Sequence, residues 1–500
     1  MESRLPFDDV AWEKSDEIEQ SWVEFLSYED IFDEIELFLA AHYHPRQCAD
    51  FKLFRIGGIN ATFLMTFTDT NIGDAILRFP IPGIALFPEE KVRNEVSIMQ
   101  FITEKTSDTM PIPVPRISRW GKRTESPAKL GPFIIMGYIE HERSMSDVLE
   151  TPGPHQQNRL ELNPNISVTK LKSLYRELAN IVFSLSTLSA SRIGSLKQTG
   201  RSVWEAAYRP LSLSMNEIVR VGTLPRSKLP TANYDKTSLY FEALAELHIS
   251  HLKYQRNDAI DSADDCRRKF VARFLFRKLI RDPELREKWM SPSYENGPFP
   301  VWCDDFRPQN VLVDKADKVV GVVDWEFTYA APVQFSHAPP WWLLLDKPEY
   351  WAKGLDDWCT EYERRLPVFL QAMRDCEEVV FQTRNERLEE SQRLSSRMRD
   401  SWESGDFWIM YAARNNFAFD AIYWNKIDRR FFGPTGYVDD DNICDVWKKR
   451  LDLLEPEEKK TMEKYVDRKL KETETRPLCW DPDQYTLEFM AKVDQDSDDA

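Results

Sequence analysis

The hydrophobic and polar positions change period several times along the chain. Residues 1–50 place acidic positions between apolar anchors (Trp22, Phe25, Leu26, Ile31, Phe32) at helical spacing. Ile56-Gly57-Gly58-Ile59-Asn60 reads as a turn. From Ala61 to Thr68, Phe63, Met65 and Phe67 alternate with smaller or polar residues, the period of a half-buried strand. Asp69 to Asp74 reads as the next turn, and Ala75 to Phe79 as the paired strand, ended by Pro80 and Pro82. From Glu89 the spacing is helical, with Val92, Val96, Met99 and Ile102 on one face. Pro111, Pro113 and Pro115 impose an extended stretch, and Phe133 to Met136 is another short apolar strand. This order predicts a small mixed lobe with one helix packed on an antiparallel sheet.

Beyond residue 145 the pattern is mainly helical, over Leu171 to Thr187, Tyr240 to Leu252, Cys266 to Leu279 and again over 350–480. Leu451 to Lys471 is strongly charged and reads as a solvated helix. The aromatic segments 407–411 and 417–424 read as core, or as walls of an acceptor pocket.

One segment interrupts the helical run. Val301-Trp302-Cys303-Asp304-Asp305-Phe306-Arg307-Pro308-Gln309-Asn310 leads into the strand Val311-Leu312-Val313. After a polar turn, Val319 to Val323 leads into Asp324-Trp325-Glu326. If the two strands fold back on each other, their outer ends meet, and Asp305, Asn310 and Asp324 converge. Phosphoryl transfer needs such a set. A carboxylate and a carboxamide give hard oxygen ligands for Mg2+ on the phosphates of ATP, and a second carboxylate orients the attacking hydroxyl. An acidic hairpin with capping side chains is the bland alternative.

Composition narrows the partners. The 500 residues are 42% hydrophobic and 30% charged, which suits a globular protein. Acidic residues outnumber basic ones 83 to 66, a net charge of −17 that gives no support to a nucleic-acid role. No apolar run is long enough to span a bilayer, and no membrane role is expected. The start, Met1-Glu2-Ser3-Arg4-Leu5, lacks the features of a targeting segment. Seven scattered cysteines without a CxxC pair suggest reduced thiols and a cytoplasmic location. His248 and His251 stand at helical spacing without further ligands, so core or surface roles are expected for them rather than zinc.

The central segment resembles the aminoglycoside phosphotransferase and choline kinase superfamily, in particular its large fungal phosphotransferase members. The family pattern is H-G-D-x-x-x-x-N followed by an I-D-W-E-like segment. The resemblance covers roughly residues 50–345 and implies a bilobal α+β protein-kinase-like fold. It divides the chain into an N-terminal helical segment (1–50), an N-lobe (51–140), a C-lobe with the catalytic loop (141–345), a helical extension (346–490) and a disordered acidic tail (491–500). By resemblance Asp305 is the catalytic base, and Asn310 and Asp324 hold the metal. Gly57, Gly58 and Asn60 lie where a loop covers the phosphates, although Gly-Gly also serves as an ordinary hairpin turn. Arg78 stands where related kinases place a strand lysine. Glu95 fits its helix partner, although a surface ion pair fits as well. Gly137, Tyr138 and Ile139 look like the hinge that reads adenine through its backbone. Two positions depart from the pattern. Cys303 replaces the usual His and suits packing. Asp304 replaces the usual Gly and either forms the turn, raises the pKa of Asp305 or binds a cationic substrate.

The expected activity is transfer of a phosphoryl group from ATP, with Mg2+, to a hydroxyl of a small molecule such as an amino-alcohol or aminoglycoside. A protein substrate stays open. Two rivals remain at this level: a nucleotide-binding pseudokinase scaffold, which the Cys303 and Arg78 replacements invite, and a metal-dependent hydrolase built on Asp304, Asp305 and Asp324.

Overall fold

The computed structural model describes residues 5–69, 73–106, 111–153, 159–384, 389–434 and 445–498. Two helices, α1 (Asp9–Leu26) and α2 (Glu29–Tyr43), precede strands β1 (Cys48–Ile56), β2 (Asn60–Phe67) and β3 (Ala75–Pro80). Helix α3 (Pro88–Lys105) follows, then β4 (Ile117–Gly121) and β5 (Phe133–Gly137). The five strands form one antiparallel sheet in the order β1-β2-β3-β5-β4. Residues 70–72, in the turn expected between β2 and β3, lie outside the described residues.

Period-two alternation sorts this sheet onto two cores. Phe63, Met65, Leu77, Phe79 and Ile135 pack with Trp22, Ile35 and Leu39 of α1 and α2. Leu64, Ile76, Ile134 and Met136 pack with Val92, Val96 and Met99 of α3. The strand expected to be half-buried is therefore covered on both faces. The reason is the N-terminal helix pair, which closes the face that would otherwise meet solvent.

The larger lobe begins with β6 (Arg143–Ser144), α4 (Met145–Leu149), α5 (Val168–Thr187) and β7 (Ser189–Ala190). A hairpin, β8 (Ser195–Gly200) and β9 (Val203–Tyr208), was not legible in the sequence. Its strands are polar and largely exposed, so they lack an apolar face to alternate. Helices α6 (Leu213–Arg220), α7 (Thr237–Tyr254), α8 (Ala263–Arg281) and the single turn α9 (Pro283–Arg286) follow. Then come β10 (Phe299–Cys303), β11 (Val311–Val313), β12 (Val319–Val322) and β13 (Thr328–Ala330). β11 pairs antiparallel with β12 and with β6, and β10 pairs with β13 and β7. The architecture is bilobal and kinase-like, an antiparallel N-terminal sheet followed by a larger helical part.

The remaining helices are α10 (Val333–His337), α11 (Leu355–Arg384), α12 (Leu394–Ser404), α13 (Asp406–Arg414), α14 (Phe419–Ile422), α15 (Asp428–Phe432), α16 (Val446–Arg450), α17 (Pro456–Glu472) and α18 (Gln484–Asp498). α11 lies along α5, with Phe369 against Tyr175 at 5.8 Å between ring centroids. The aromatic residues of 407–411 and Phe417, Phe419, Tyr423 and Trp424 are core. α18 returns to the N-lobe, where Phe489 meets Phe25 and the Thr486 hydroxyl accepts the Gly83 amide at 2.9 Å. It carries helix to Asp498, into the stretch expected to be an acidic tail, and residues 499 and 500 lie outside the described residues.

His248 and His251 on α7 are buried against Phe419 and Phe417. Burial, aided by the nearby Arg273, pushes both imidazoles down to about 3. Each folded-state value lies below the ordinary one, so the unfolded chain binds protons first as pH falls. Their contribution to stability is complete above about pH 6.5 and is lost toward pH 3, and at pH 5 the loss is about 2 kcal/mol for each group. Urea unfolding is expected to show a midpoint that drops from pH 7 to pH 5. The slope becomes shallower in His251→Leu.

Candidate active site

The site is built at the open end of the β11–β12 hairpin. Asp314 closes the other end, its carboxylate accepting the amides of Ala316 and Lys318, each at 2.8 Å. The Val323 amide donates to the Asn310 carbonyl at 2.9 Å, which fixes the segment before Asp324 beside Asn310. The chain then turns sharply, with Asp324 at φ +60° and Phe327 at φ +57°. Left-handed backbone is uncommon outside glycine, and a short polar side chain such as aspartate tolerates it best. This turn aims Asp324 back toward the loop before β11. The Asp304 amide donates to the Phe327 carbonyl at 3.3 Å and ties the two segments together.

Asp305 lies within this loop with 18% of its side chain exposed. Asn310 Nδ2 donates to the Asp305 carbonyl at 2.9 Å and to its Oδ2 at 3.3 Å, and Arg307 Nε stands 3.3 Å from Oδ1. Burial raises the Asp305 pKa. Arg307 opposes the rise, and the charges of Glu326 and Asp324 add to it. That mutual repulsion is the electrostatic signature of the carboxylates being gathered at one place. The Asp304 carboxylate points into the interior, toward Trp302, the Leu213 amide and Tyr329. That placement gives it an interior role and takes it away from a cationic substrate in the cleft.

Across the cleft, Arg78 on β3 is buried and bridges two acids. Its guanidinium pairs with Glu95 Oε1 and donates from Nη1 to Asp324 Oδ1 at 2.6 Å. The Arg78–Glu95 pair is therefore a buried one, and it reaches the C-lobe carboxylate directly. A third basic group, Lys91, escaped the sequence reading. It lies one turn before Glu95, a spacing that ordinarily means an exposed helix pair. Here Lys91 Nζ is buried, 2.6 Å from Glu326 Oε2, 3.7 Å from Glu95 Oε2, and donates to Asn60 Oδ1 at 2.7 Å. Burial lowers the Lys91 pKa against the pull of Glu326. Burial likewise opposes ionisation of Glu326, but Lys91 and Arg78 outweigh it and hold the carboxyl below its usual range.

The glycine turn is joined to this network. Asn60 Nδ2 donates to Glu326 Oε2 at 2.9 Å, so the Asn60 side chain faces inward rather than outward over the turn. Gly57 donates to the Asn60 carbonyl at 2.8 Å, and a Cβ on Gly58 would meet nothing within 4 Å. A side chain at Gly58 would therefore fit, and neither glycine of the turn takes a positive φ. At the hinge, the Gly137 and Tyr138 amides already donate to Arg116 and Asp74 carbonyls, at 2.9 and 2.8 Å. Ile139 packs over Gly321 of β12, where a Cβ would come within 2.6 Å of Ile139 Cδ1. That contact presses the segment after β5 onto the β11–β12 hairpin.

Among the described residues, no group of three or more His, Cys, Asp or Glu side chains is placed to hold a metal ion, and no helix is long and apolar enough to cross a membrane. The donors that do converge are one carboxylate, Asp324, and one carboxamide. Asn310 spends its Nδ2 on Asp305, which leaves its carbonyl oxygen as the end suited to a hard cation. The donor chemistry fits magnesium.

Glu217 on α6, which carried no sequence signal, is near enough to Asp305 to feel its charge. Burial raises its pKa, Lys347 and Arg220 oppose this, and Asp305 and Glu349 add to it. Cys303 is buried and its thiol is pushed well up, chiefly by burial, as suits a packing residue.

Replacing Lys91 with Met removes the cation between Glu95 and Glu326 and leaves buried carboxylates uncompensated. The expected cost is about 3 kcal/mol or more in denaturant unfolding. Exposed Lys315→Ala is expected to stay within about 0.5 kcal/mol of the parent.

No family model matches the chain, and no curated protein matches it. Over most of its length the chain is similar to solved structures of phosphotransferases. An apo thermostable mutant of aminoglycoside phosphotransferase APH(4)-Ia is 14% identical over 78% of this chain and 98% of that one, with a TM-score of 0.39. Macrolide 2'-phosphotransferase type I is 13% identical over 77% and 96%, with a TM-score of 0.37. A GDP and kanamycin complex of an APH(2") enzyme is 11% identical over 80% and 95%, with a TM-score of 0.37. Scores this low add no weight to the functional argument, which rests on the residues above.

Proposed function

We propose that this chain is an ATP- and magnesium-dependent phosphotransferase acting on a hydroxyl of a small molecule. The observation that carries the reading is the meeting of Asp305, Asn310 and Asp324 at one hairpin end, opposite a buried Arg78–Glu95 pair. In the proposed reaction the acceptor oxygen bonds to the γ-phosphorus of ATP as the β–γ bridging P–O bond breaks. The acceptor proton passes to the Asp305 carboxylate, and ADP leaves. Asn310 orients Asp305 through its amide and offers its oxygen to the metal beside Asp324. Bound magnesium neutralises phosphate charge. Arg78 supplies cationic charge on the N-lobe side, Glu95 orients it, and Gly57 and Gly58 leave backbone room for phosphate. Asn60 acts from behind the turn, through Glu326 and Lys91. For adenine the Ile139 amide is the freer donor of the hinge, since the Gly137 and Tyr138 amides are engaged and the Ile139 carbonyl stands 2.8 Å from His141 Nδ1.

Lys347 lies in the field of both Asp305 and Glu217, and Arg307 Nε stands 3.3 Å from Asp305 Oδ1, so the surroundings of Asp305 carry both signs of charge. A polar acceptor carrying an amino group is what the family resemblance suggests. One observation favours the scaffold reading instead: Arg78 occupies an Asp324 oxygen that the metal would share.

The two separate by experiment. The full chain is incubated with MgATP and a panel of hydroxyl compounds, and products are scanned by mass spectrometry for the mass of one phosphoryl group. Phosphorylated product is expected with the parent. Asp305→Ala is expected to lower turnover at least ~100-fold while ATP still binds. Nucleotide binding without product across the panel supports the scaffold, and unchanged turnover in Asp305→Ala removes Asp305 as the base.

A further inference from the structure

We propose that Arg414, at the end of α13 in the C-terminal extension, is a positioning residue for the catalytic loop, acting through its buried partner Asp304. The proposal rests on the phosphotransferase reading of Asp305 and explains why an aspartate stands where the related motif has glycine.

Asp304 and Asp305 are neighbours whose side chains go opposite ways. Asp305 faces the cleft, and Asp304 is driven inward, with 7% of its side chain exposed. Three elements grip the inner carboxylate. Trp302 Nε1 on β10 donates to Oδ1 at 2.7 Å, the Leu213 amide at the start of α6 donates to Oδ2 at 3.2 Å, and the Tyr329 hydroxyl on β13 lies 3.4 Å from Oδ2. A carboxylate at a helix N-terminus is favourably placed. Asp304 thereby ties the loop to the start of α6.

A carboxylate held in the interior needs a counter-charge, and Arg414 supplies it. Nη1 lies 3.9 Å from Asp304 Oδ1, with 11% of the Arg414 side chain exposed. Its Nε is spent within α13, on the Met410 carbonyl at 3.1 Å. The guanidinium carbon sits 4.4 Å from the Trp302 ring centroid and 4.8 Å from that of Phe335. Burial raises the Asp304 pKa and lowers that of Arg414, so for each group burial outweighs the partner's attraction. Removing either leaves the other as an uncompensated charge. A cavity of about 50 Å³ lies against the pair, lined by Trp302, Phe306, Trp342 and Phe407. The cavity leaves this side of the loop incompletely packed, so the charge pair and its hydrogen bonds add to what Cys303 and Phe306 contribute by packing. The extension thereby reaches the catalytic loop without touching a substrate.

The test is a double-mutant cycle in the full chain: Arg414→Gln, Asp304→Asn, the double variant, and Arg414→Lys as the conservative replacement. Hydrogen exchange is followed in peptides spanning 301–313, together with MgATP turnover. Arg414→Gln is expected to speed exchange in the loop selectively and to lower kcat at least tenfold. KM for ATP is expected to stay within twofold, because Arg78 and Glu95 are untouched. Arg414→Lys recovers most of both signals. The double variant is expected to be no worse than Asp304→Asn alone, and this comparison decides the matter even if Arg414→Gln does not fold. Unchanged loop exchange and kcat in Arg414→Gln, losses spread evenly over the whole C-lobe, or additive losses in the double variant overturn the proposal. If the parent shows no turnover, the phosphotransferase reading fails, and the exchange cycle still decides whether Arg414 holds the loop.

Discussion

The arrangement of the site depends on one buried network that crosses the cleft. Arg78 and Lys91 are set among Glu95, Asp324 and Glu326, two cations against three carboxylates, and all but Asp324 are nearly inaccessible. Buried ions are costly unless they are paired, so no member can move alone. Arg78 ties the N-lobe sheet to Asp324, two residues past the end of β12. Lys91 and Asn60 tie helix α3 and the glycine turn to Glu326, two residues further on. The network is one positive charge short of neutral, and Asp305 nearby deepens the deficit. A divalent cation at Asp324 and Asn310, as proposed above, would supply the missing positive charge.

The terminal parts of the chain bear on this centre by packing and by charge. α1, α2 and α18 close the outer face of the N-lobe sheet, which keeps β3 and its Arg78 buried between two cores. On the other side α13 brings a cation to the interior of the loop that carries Asp304 and Asp305. Between them Gly321 lets Ile139 settle onto β12, so hinge and hairpin share a surface.

The fold was legible where period and length agreed. The alternation in β2, the helical face of α3 and the apolar flanks of the β11–β12 turn each named their own elements. The polar hairpin β8–β9 had no apolar face to announce it, and the cover over the sheet came from helices distant in sequence. At the site, Asp305, Asn310 and Asp324 were readable because one hairpin brings them together. Lys91 was not, since its i,i+4 partner Glu95 suggests an exposed pair until the third partner, Glu326, is placed in space. Glu217 and Arg414 were hidden for the same reason: each meets the loop across a long sequence separation. Asn60 was found for its neighbours, yet its side chain turned inward because Lys91 and Glu326 together satisfy both ends of its amide.

The central claim is that Asp324 and Asn310 hold magnesium against a nucleotide in this cleft. Calorimetric titration of ATP into the full chain, once in magnesium and once in EDTA, tests it most directly. The account predicts saturable binding in magnesium that weakens at least about tenfold in EDTA, a difference of roughly 1.4 kcal/mol. Equal affinity in the two buffers, or no binding in either, contradicts it.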